Sequence, residues 1–222
     1  RMSFVHLHCH TQYSLLDGAI RFSDLFAAAK QMGLPAVAMT DHGNMYGAIE
    51  FYNGARKAGL KPIIGCEVYV ARGSRLSREE GPKDNFHHLV LLCQDETGYR
   101  NLIKLVSLAY TEGFYYRPRV DKDLLAEYSG GLIALSACLH GEVAEHLLAG
   151  DEAGAAAAAG RLAELFPGRF YLEMQANGID EQVKVNAALA LLAARLSLPL
   201  VATNDCHYLR RQDARVHDIL LC

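Results

Sequence analysis

The sequence predicts an α/β fold, and three observations lead to this prediction. Seven short apolar runs with the length and composition of β-strands are spread along the 222 residues. Amphipathic helical patterns lie between most of them, an alternation typical of a parallel sheet covered by helices. Hydrophobic residues make up 51% of the chain and charged residues 21%, as in globular domains with a sizeable core. We therefore expect a single domain over 1–222, with a sheet that is either open or closed.

The elements are expected in the following order. Ser23 can cap a helix that runs through Gln31, with Phe26 and Ala29 on its apolar face. The strand-like runs are 4–7, 36–40, 62–70, 88–93, 131–136, 170–174 and 200–203. Further helical patterns cover 46–58, 99–110, 121–127, 141–148, 152–165 and 180–196. The polar, charged stretch 72–85 is expected to be a loop excursion.

Composition narrows the functional classes. No apolar run approaches the roughly 20 residues of a membrane-spanning helix, and the first residues run directly into a predicted strand, which leaves no room for a secretory signal. The six cysteines fit no disulfide framework, so we expect a reduced, cytoplasmic location. A net charge of −3 argues against a surface that coats nucleic acid. The apolar segment 216–222 carries no cap or turn signal, which suggests an N-terminal fragment of a longer chain.

Histidines and carboxylates stand at the ends of several predicted strands. A lone histidine is usually a packed or surface residue, but here the pattern recurs. His8 and His10 close the first run and point the same way, because residues alternate faces along a strand. The carboxyl ends of strands gather at one edge of an α/β sheet. The sequence therefore predicts a metal site that includes His8, His10, His42, Glu67, Asp205 and His207.

Spacing alone leaves other candidates open. Cys138 follows a strand-like run and could supply a thiolate, whereas His88 opens a run rather than closing one. Asp17 precedes a glycine and, taken alone, fits a turn aspartate better than a ligand. Asp41 has the opposite parity to the histidine that follows it, so we expect it to orient a ligand. His6 lies deeper and is expected to be a buried, hydrogen-bonded histidine. No pattern surrounds the remaining histidines, interpreted as structural or surface residues: His87, His140, His146 and His217.

Histidine and carboxylate ligands with one thiolate suit zinc, manganese or iron better than magnesium or calcium. So many ligands imply more than one ion. Three divalent ions would leave the centre with a charge of about +2, which attracts an anionic phosphate even in an acidic domain. Neighbouring ions can stabilise the attacking and leaving oxygens of a phosphoester. Neither a GxSxG nucleophile elbow nor a GxxxxGK[ST] phosphate loop is present in the sequence.

Four segments resemble the polymerase and histidinol phosphatase (PHP) family. They are HxHxxxSxxDG at 8–18, TDHG at 40–43, the strand that carries Glu67, and NDxHY at 204–208. The segments 47–70, 97–121 and 131–143 resemble, within that family, the N-terminal PHP domains of bacterial DNA polymerase III alpha subunits. The resemblance covers essentially the whole chain. It implies a distorted, TIM-like barrel of seven strands, (β/α)7, with a metal cluster at its C-terminal mouth.

The resemblance also implies which residues bind metal and what role each has. The nine ligand positions of the family correspond to His8, His10, Asp17, His42, Glu67, His88, Cys138, Asp205 and His207. One ion, with the catalytic role, would be held by His8, His10, Glu67 and Asp205. Glu67 would bridge to a second ion on His88 and Cys138, and a third would lie on Asp17, His42 and His207.

Three functions follow from the resemblance. The first is metal-dependent 3′–5′ exonuclease activity on DNA, within a replicative polymerase whose nucleotidyl-transfer site lies outside this chain. The second is a metal-stabilised scaffold that supports the polymerase body or docks a separate proofreading subunit. The third, a small-molecule phosphatase, fits the polymerase-like segments less well. DNA contacts are expected from basic residues of 72–85 and 114–119, above all Arg117 and Arg119.

Overall fold

The computed structural model describes residues 4–78 and 85–222, so part of the predicted excursion, including Lys83, lies outside the described residues. The strands are β1 (Ala36–Met39), β2 (Lys61–Ala71), β3 (Phe86–Cys93), β4 (Arg119–Val120), β5 (Leu132–Leu135), β6 (Phe170–Gln175) and β7 (Leu200–Thr203). The helices are α1 (Phe22–Gln31), α2 (Ala48–Lys57), α3 (Glu96–Thr111), α4 (Lys122–Tyr128), α5 (Glu142–Leu148), α6 (Glu152–Leu165), α7 (Asp180–Leu196) and α8 (Ala214–Leu220). None of the described helices is long and apolar enough to cross a membrane.

The strands form one curled, mixed sheet, which confirms the α/β fold and corrects the expectation of a purely parallel one. The order among the described residues is β1-β2-β3-β5-β6-β7, and β4 pairs with β2. β3 runs antiparallel to both β2 and β5, whereas the other pairs are parallel. The start of β3 therefore lies beside the ends of β2 and β5. One antiparallel strand thus brings its first residues to the edge where its neighbours finish.

The N-terminal segment links the two ends of the sheet. Residues 4–7 are not a strand, contrary to the sequence prediction. Instead, Thr40 N donates to Cys9 O at 2.9 Å, after β1, and His10 N donates to Cys206 O at 2.7 Å, after β7. Cys206 N donates back to His8 O at 3.1 Å. The segment thereby inserts between the ends of β1 and β7 and brings His8 and His10 to the same edge.

The helices pack on the outer face of the sheet and leave the mouth free. The larger apolar core lies between β2–β6 and helices α3–α7, and includes Leu91, Leu102, Leu125, Phe166 and Phe170. A smaller core joins α1 and α2 to β1. Ser23 does not cap α1, which begins one residue earlier; aspartates cap α3, α4 and α6 instead. The two cores together hold the strand ends at the mouth in place.

Candidate metal centre

Four ligand-type side chains converge at the innermost part of the mouth. His8 Nε2 lies 3.1 Å from His10 Nε2, 3.5 Å from Glu67 Oε1 and 3.3 Å from Asp205 Oδ1. His10 Nε2 lies 3.4 Å from Glu67 Oε2 and 3.2 Å from Asp205 Oδ1. Nitrogen and oxygen ligands of a tetrahedral zinc ion, at about 2.0–2.1 Å from the metal, are separated by about 3.3 Å. The distances of Glu67 and Asp205 from the two imidazoles therefore match the spacing of ligands on a single ion.

Glu67 lies at the centre of the cluster and is 1% exposed. His42 Nδ1 lies 2.6 Å from its Oε2 atom, and His88 Nδ1 lies 2.9 Å from its Oε1 atom. Backbone hydrogen bonds fix this arrangement: Gly43 N donates to Glu67 O, and Glu67 N donates to Asp41 O. Because β3 is antiparallel to β2, His88 opens its strand beside the end of β2. The antiparallel direction of β3 therefore explains how a histidine that opens a strand can lie at the mouth with the other candidate ligands.

The remaining candidates lie at the outer side of the cluster. Asp17 Oδ2 is 3.1 Å from His42 Nε2 and 3.7 Å from His207 Nε2. The ring of His10 stacks between those of His42 and His207, with centroids 4.0 and 4.2 Å away. Cys138 Sγ lies 3.7 Å from His88 Nδ1. All nine residues implied by the family resemblance thus lie within one connected cluster.

Unpartnered buried atoms test whether metal ions would fit. Both carboxylate oxygens of Glu67, one each of Asp17 and Asp205, and His42 Nδ1 are buried with no hydrogen-bond partner among the described residues. Leaving such an atom unsatisfied costs about 1–3 kcal/mol. His42 Nδ1 and Glu67 Oε2 are 2.6 Å apart, but without the angles of a hydrogen bond. Lone pairs that point toward a shared space are suited to divalent cations, so the residues present fit metal ions.

The electrostatics of the cluster keep its carboxylates ionised. Burial opposes the charge on Glu67, but His88 and His42 lower the pKa of its carboxyl well below the usual value. Burial likewise opposes the charge on Asp205, while His8 and His10 lower its pKa. Burial and the neighbouring His42 lower the pKa of His10 to about 4, so this imidazole is neutral. Burial opposes the charge on His8 and His42, but neighbouring carboxylates raise the pKa of His8 well above its usual value and that of His42 to about 10. Because metal ions bind ionised carboxylates and neutral imidazoles, metal binding at His8 and His42 would release protons.

Glu173 is a buried carboxylate that the sequence analysis missed. It lies within β6, and its Oε1 is 2.7 Å from His8 Nδ1, the nitrogen that faces away from the cluster. Thr203 Oγ1 and Gln175 Nε2 donate to the same oxygen. A carboxylate on the distal nitrogen of a ligating histidine fixes its tautomer and orientation. The one sequence signal is a glutamate inside an otherwise apolar strand.

Replacing this carboxylate tests its orienting role. We expect Glu173→Gln to lower the affinity for metal about 10- to 100-fold, the usual effect of removing such a partner. The metal dissociation constant, measured by competition with a chromophoric chelator, checks this prediction. Glu164→Gln, a substitution on α6, is the matched control. Equal affinities in Glu173→Gln and the parent would contradict the orienting role.

Asp41, predicted to orient a ligand, and His6, predicted to be buried, differ in their distance from the cluster. Asp41 accepts hydrogen bonds from Thr11 N at 2.6 Å and from Ser14 Oγ at 2.8 Å, and Ser14 Oγ lies 3.0 Å from His10 Nδ1. Asp41 therefore acts on His10 through Ser14, which the sequence analysis did not single out. His6, expected to be buried and hydrogen-bonded, is half-buried, and its Nδ1 lies 3.4 Å from Cys206 Sγ rather than beside a metal-ligand candidate.

The predicted DNA-contacting arginines also differ. Arg119 is 3% exposed, and its guanidinium donates to the backbone oxygens of Gly113, Arg75 and Ser77. It anchors the loop after β2. The prediction that it contacts phosphate is wrong, because a buried guanidinium that is occupied by backbone oxygens cannot reach DNA, and the sequence does not show that it is buried. Arg72 is engaged in an ion pair with Glu145. Arg75 pairs with Glu112 and Asp121, and the Arg78 guanidinium donates to backbone oxygens.

A cavity of about 860 Å³ opens directly above the cluster. Asp17, His42 and His88 lie in its wall, and Arg117 contributes a guanidinium 5.8 Å from the ring centroid of Tyr69. Further aromatic side chains complete the wall: Tyr46, Phe86, Tyr110, Phe114 and Tyr116. The ligand-type residues are thus accessible to a molecule of substantial size, through an aromatic cavity lined by two arginines, Arg72 and Arg117.

Comparisons with known proteins agree with this geometry. The PHP domain family matches residues 6–177. DNA polymerase III alpha subunits of Borreliella burgdorferi, Treponema pallidum and Thermus aquaticus are 47%, 50% and 48% identical over the whole chain. The chain spans less than a fifth of the length of these relatives, 18–19%.

Two solved structures share the fold. One, from Bifidobacterium adolescentis, is assigned as a metal-dependent phosphoesterase; it has a TM-score of 0.58 and 14% identity, over 94% of this chain and 89% of that chain. An amidohydrolase from Chromobacterium violaceum has a TM-score of 0.51 and 15% identity, over 97% and 96%. At these identities the likeness establishes the fold alone.

Proposed function

The chain belongs to the PHP domain family, and on that premise we propose that it is the PHP domain of a DNA polymerase III alpha subunit that hydrolyses phosphodiester bonds at DNA 3′ ends. The observation that carries the proposal is the cluster of nine ligand-type side chains, linked by short contacts, beneath an open aromatic cavity. The high identity to polymerase alpha subunits supports the choice of DNA over a small phosphate ester. Polymerisation would belong to other parts of the longer chain, in the cytoplasm.

Each residue of the cluster would have one of two roles, binding a metal ion or orienting a ligand. One divalent ion would be held by His8, His10, Glu67 and Asp205. A second would be shared between Glu67, His88 and Cys138, and a third would be held by Asp17, His42 and His207. Zinc, manganese and iron suit this donor set. Bound ions would supply Lewis acidity that neutralises the charge developing on a phosphoester. Glu173 and the pair of Asp41 and Ser14 keep the imidazoles of His8 and His10 in their binding orientation.

The cavity wall suits the end of a single strand. Aromatic faces offer stacking surfaces to bases of any sequence, worth about 1–3 kcal/mol per base. Tyr46, Tyr110 and Phe114 form a contiguous group, because Tyr46 Oη lies 3.0 Å from Tyr110 Oη and the rings of Tyr110 and Phe114 stack at 6.2 Å. All three are substantially exposed, with exposed fractions of 58%, 37% and 51%. A base stacked there would lie in the same cavity as Asp17, His42 and His88.

The decisive experiment pairs metal analysis with DNA degradation. Purified protein is reconstituted with zinc or manganese, its metal content is measured, and 3′-labelled single-stranded and duplex DNA are added. Release of labelled mononucleotide that requires the metal, and that is lost in Asp205→Asn, would support the proposal. Bound metal without release of nucleotide would refute the exonuclease function and favour the scaffold alternative.

One observation favours that alternative. Helix α8 exposes a row of apolar side chains, including Val216 at 53% and Ile219 at 68% exposed. Such side chains on one short helix are suited to packing against a polymerase body or a separate proofreading subunit. In the scaffold function the ions would hold the strand ends together and would have no catalytic role.

Replacing Arg117 tests whether the cavity contacts DNA. We expect Arg117→Ala to weaken single-stranded DNA binding and to reduce the slope of log affinity against log salt by about 0.7, the value for one phosphate contact. Fluorescence anisotropy over a salt series measures both quantities. Arg100→Ala is the control, because Arg100 is an exposed arginine paired with Glu96 on α3. An equal reduction of the slope in Arg117→Ala and in the control would assign the effect to net charge, and an unchanged slope in Arg117→Ala would contradict the phosphate contact.

A further inference from the structure

We propose that His140 is a metal ligand that, together with Glu67, His88 and Cys138, completes a four-coordinate, closed site at the rim of the metal centre. The inference rests on the proposed function in that it requires the centre to bind metal. It adds a residue that neither the sequence pattern nor the family resemblance assigned to the centre. It also assigns a distinct role to one ion.

The distances carry the first step. Cys138 Sγ lies 3.9 Å from His140 Nδ1 and 3.7 Å from His88 Nδ1. For tetrahedral zinc, with sulfur at about 2.3 Å and nitrogen at about 2.0–2.1 Å, the sulfur–nitrogen separation is about 3.5–3.6 Å. All three ligand atoms lie within 4.8 Å of one another. Both sulfur–nitrogen distances are therefore within a few tenths of an ångström of those expected around one ion.

The backbone carries the second step, because it holds the turn from Cys138 to Gly141 against β3. His88 N donates to His140 O at 3.0 Å, and Gly141 N donates to Cys138 O at 2.9 Å. A Cβ atom at Gly141 would lie 2.1 Å from Ser136 O, so the turn requires glycine there. Ala137, just before the turn, has a φ of 63°. The turn is thus fixed with its cysteine and histidine facing His88.

The donor set carries the third step. Glu67 Oε1 lies 2.9 Å from His88 Nδ1 and has no hydrogen-bond partner, so it can supply the fourth donor. Two imidazoles, one thiolate and one carboxylate form a donor set that suits zinc. Three protein ligands would leave a position open for substrate, whereas four close the site. An ion held by His140 would therefore be structural, which leaves substrate to the ions on the other ligands.

Cobalt binding tests the inference without relying on activity. Metal-free 222-residue chain is titrated with Co²⁺, and the thiolate-to-cobalt charge-transfer band reports the ion bound to Cys138. Loss of an outer partner already costs about 10- to 100-fold in affinity, so we expect His140→Ala to weaken the band-linked affinity at least about 10-fold. The d–d absorption of cobalt bound to His140→Ala should also be weaker, because the ion would be less tetrahedral. His146→Ala, at a histidine on α5 that pairs with Asp151, should leave both unchanged.

A second, independent variant should increase the charge-transfer absorption rather than weaken binding. In His140→Cys, a side chain that reaches the ion adds a second thiolate and increases the charge-transfer absorption per bound cobalt. Parent-like affinity in His140→Ala together with no added absorption in His140→Cys would overturn the inference while leaving the other ions in place. A parent protein without any charge-transfer band would overturn it along with the metal premise. A normal band without DNA hydrolysis would refute only the proposed exonuclease.

Discussion

Glu67→Ala is expected to remove at least two bound metal ions, the largest loss from any single substitution at the centre. Its two oxygens lie 2.6–3.5 Å from imidazole nitrogens of His8, His10, His42 and His88, so one carboxylate is shared among several potential ligand sets. Without it, His42 and His88 lose their nearest anionic partner. A divalent ion would then have fewer anionic ligands to offset its charge in a site of low dielectric constant.

Metal content per chain, measured by elemental analysis after reconstitution and gel filtration, checks this prediction. Glu145→Ala is the matched control, because Glu145 lies in the wall of the same cavity but pairs with Arg72 and His87, neither of which belongs to the ligand cluster. Glu67→Gln, which keeps the side-chain volume, separates loss of the bridge from loss of packing. Parent-like metal content in both Glu67 variants would refute the shared-ligand role.

The positions of most elements could be predicted from sequence because they depend on local periodicity. The helices α6 and α7 and the strand β7 have the boundaries that the apolar patterns predict. The direction of β3 could not be predicted in this way, because an apolar run reads the same whether its neighbours are parallel or antiparallel. For the same reason His88, at the start of β3, could not be placed at the mouth from topology alone.

The site shows a similar division. Alternation along an extended segment predicts that His8 and His10 face the same way, and their Nε2 atoms are indeed 3.1 Å apart. Glu173 belongs to no recognisable motif, and its contact with His8 spans 165 positions of the chain. Arg119 belongs to a basic segment, but burial and three backbone acceptors determine its role. Long-range contacts of this kind follow from the fold rather than from local spacing.

Removing bound metal is expected to lower the melting temperature by about 8–16 °C. Ligand at a thousand times its dissociation constant stabilises a folded protein by about 4 kcal/mol, and each kcal/mol shifts the melting temperature of a domain of this size by about 2–4 °C. The melting temperature should fall rather than rise, because metal binds the folded state alone. Its ligands come from segments as distant as His8 and His207, which the unfolded chain does not hold together. The ions would also secure the N-terminal segment that links β1 to β7.

Differential scanning calorimetry of metal-loaded and chelated protein, with metal content measured on the same samples, checks this shift. Glu67→Ala is the control, because its melting temperature should respond less to added metal than that of the parent. An unchanged melting temperature in protein shown to be metal-free would separate the centre from stability. It would also count against the scaffold alternative, because a metal that does not stabilise the domain cannot have a structural role in holding its strand ends together.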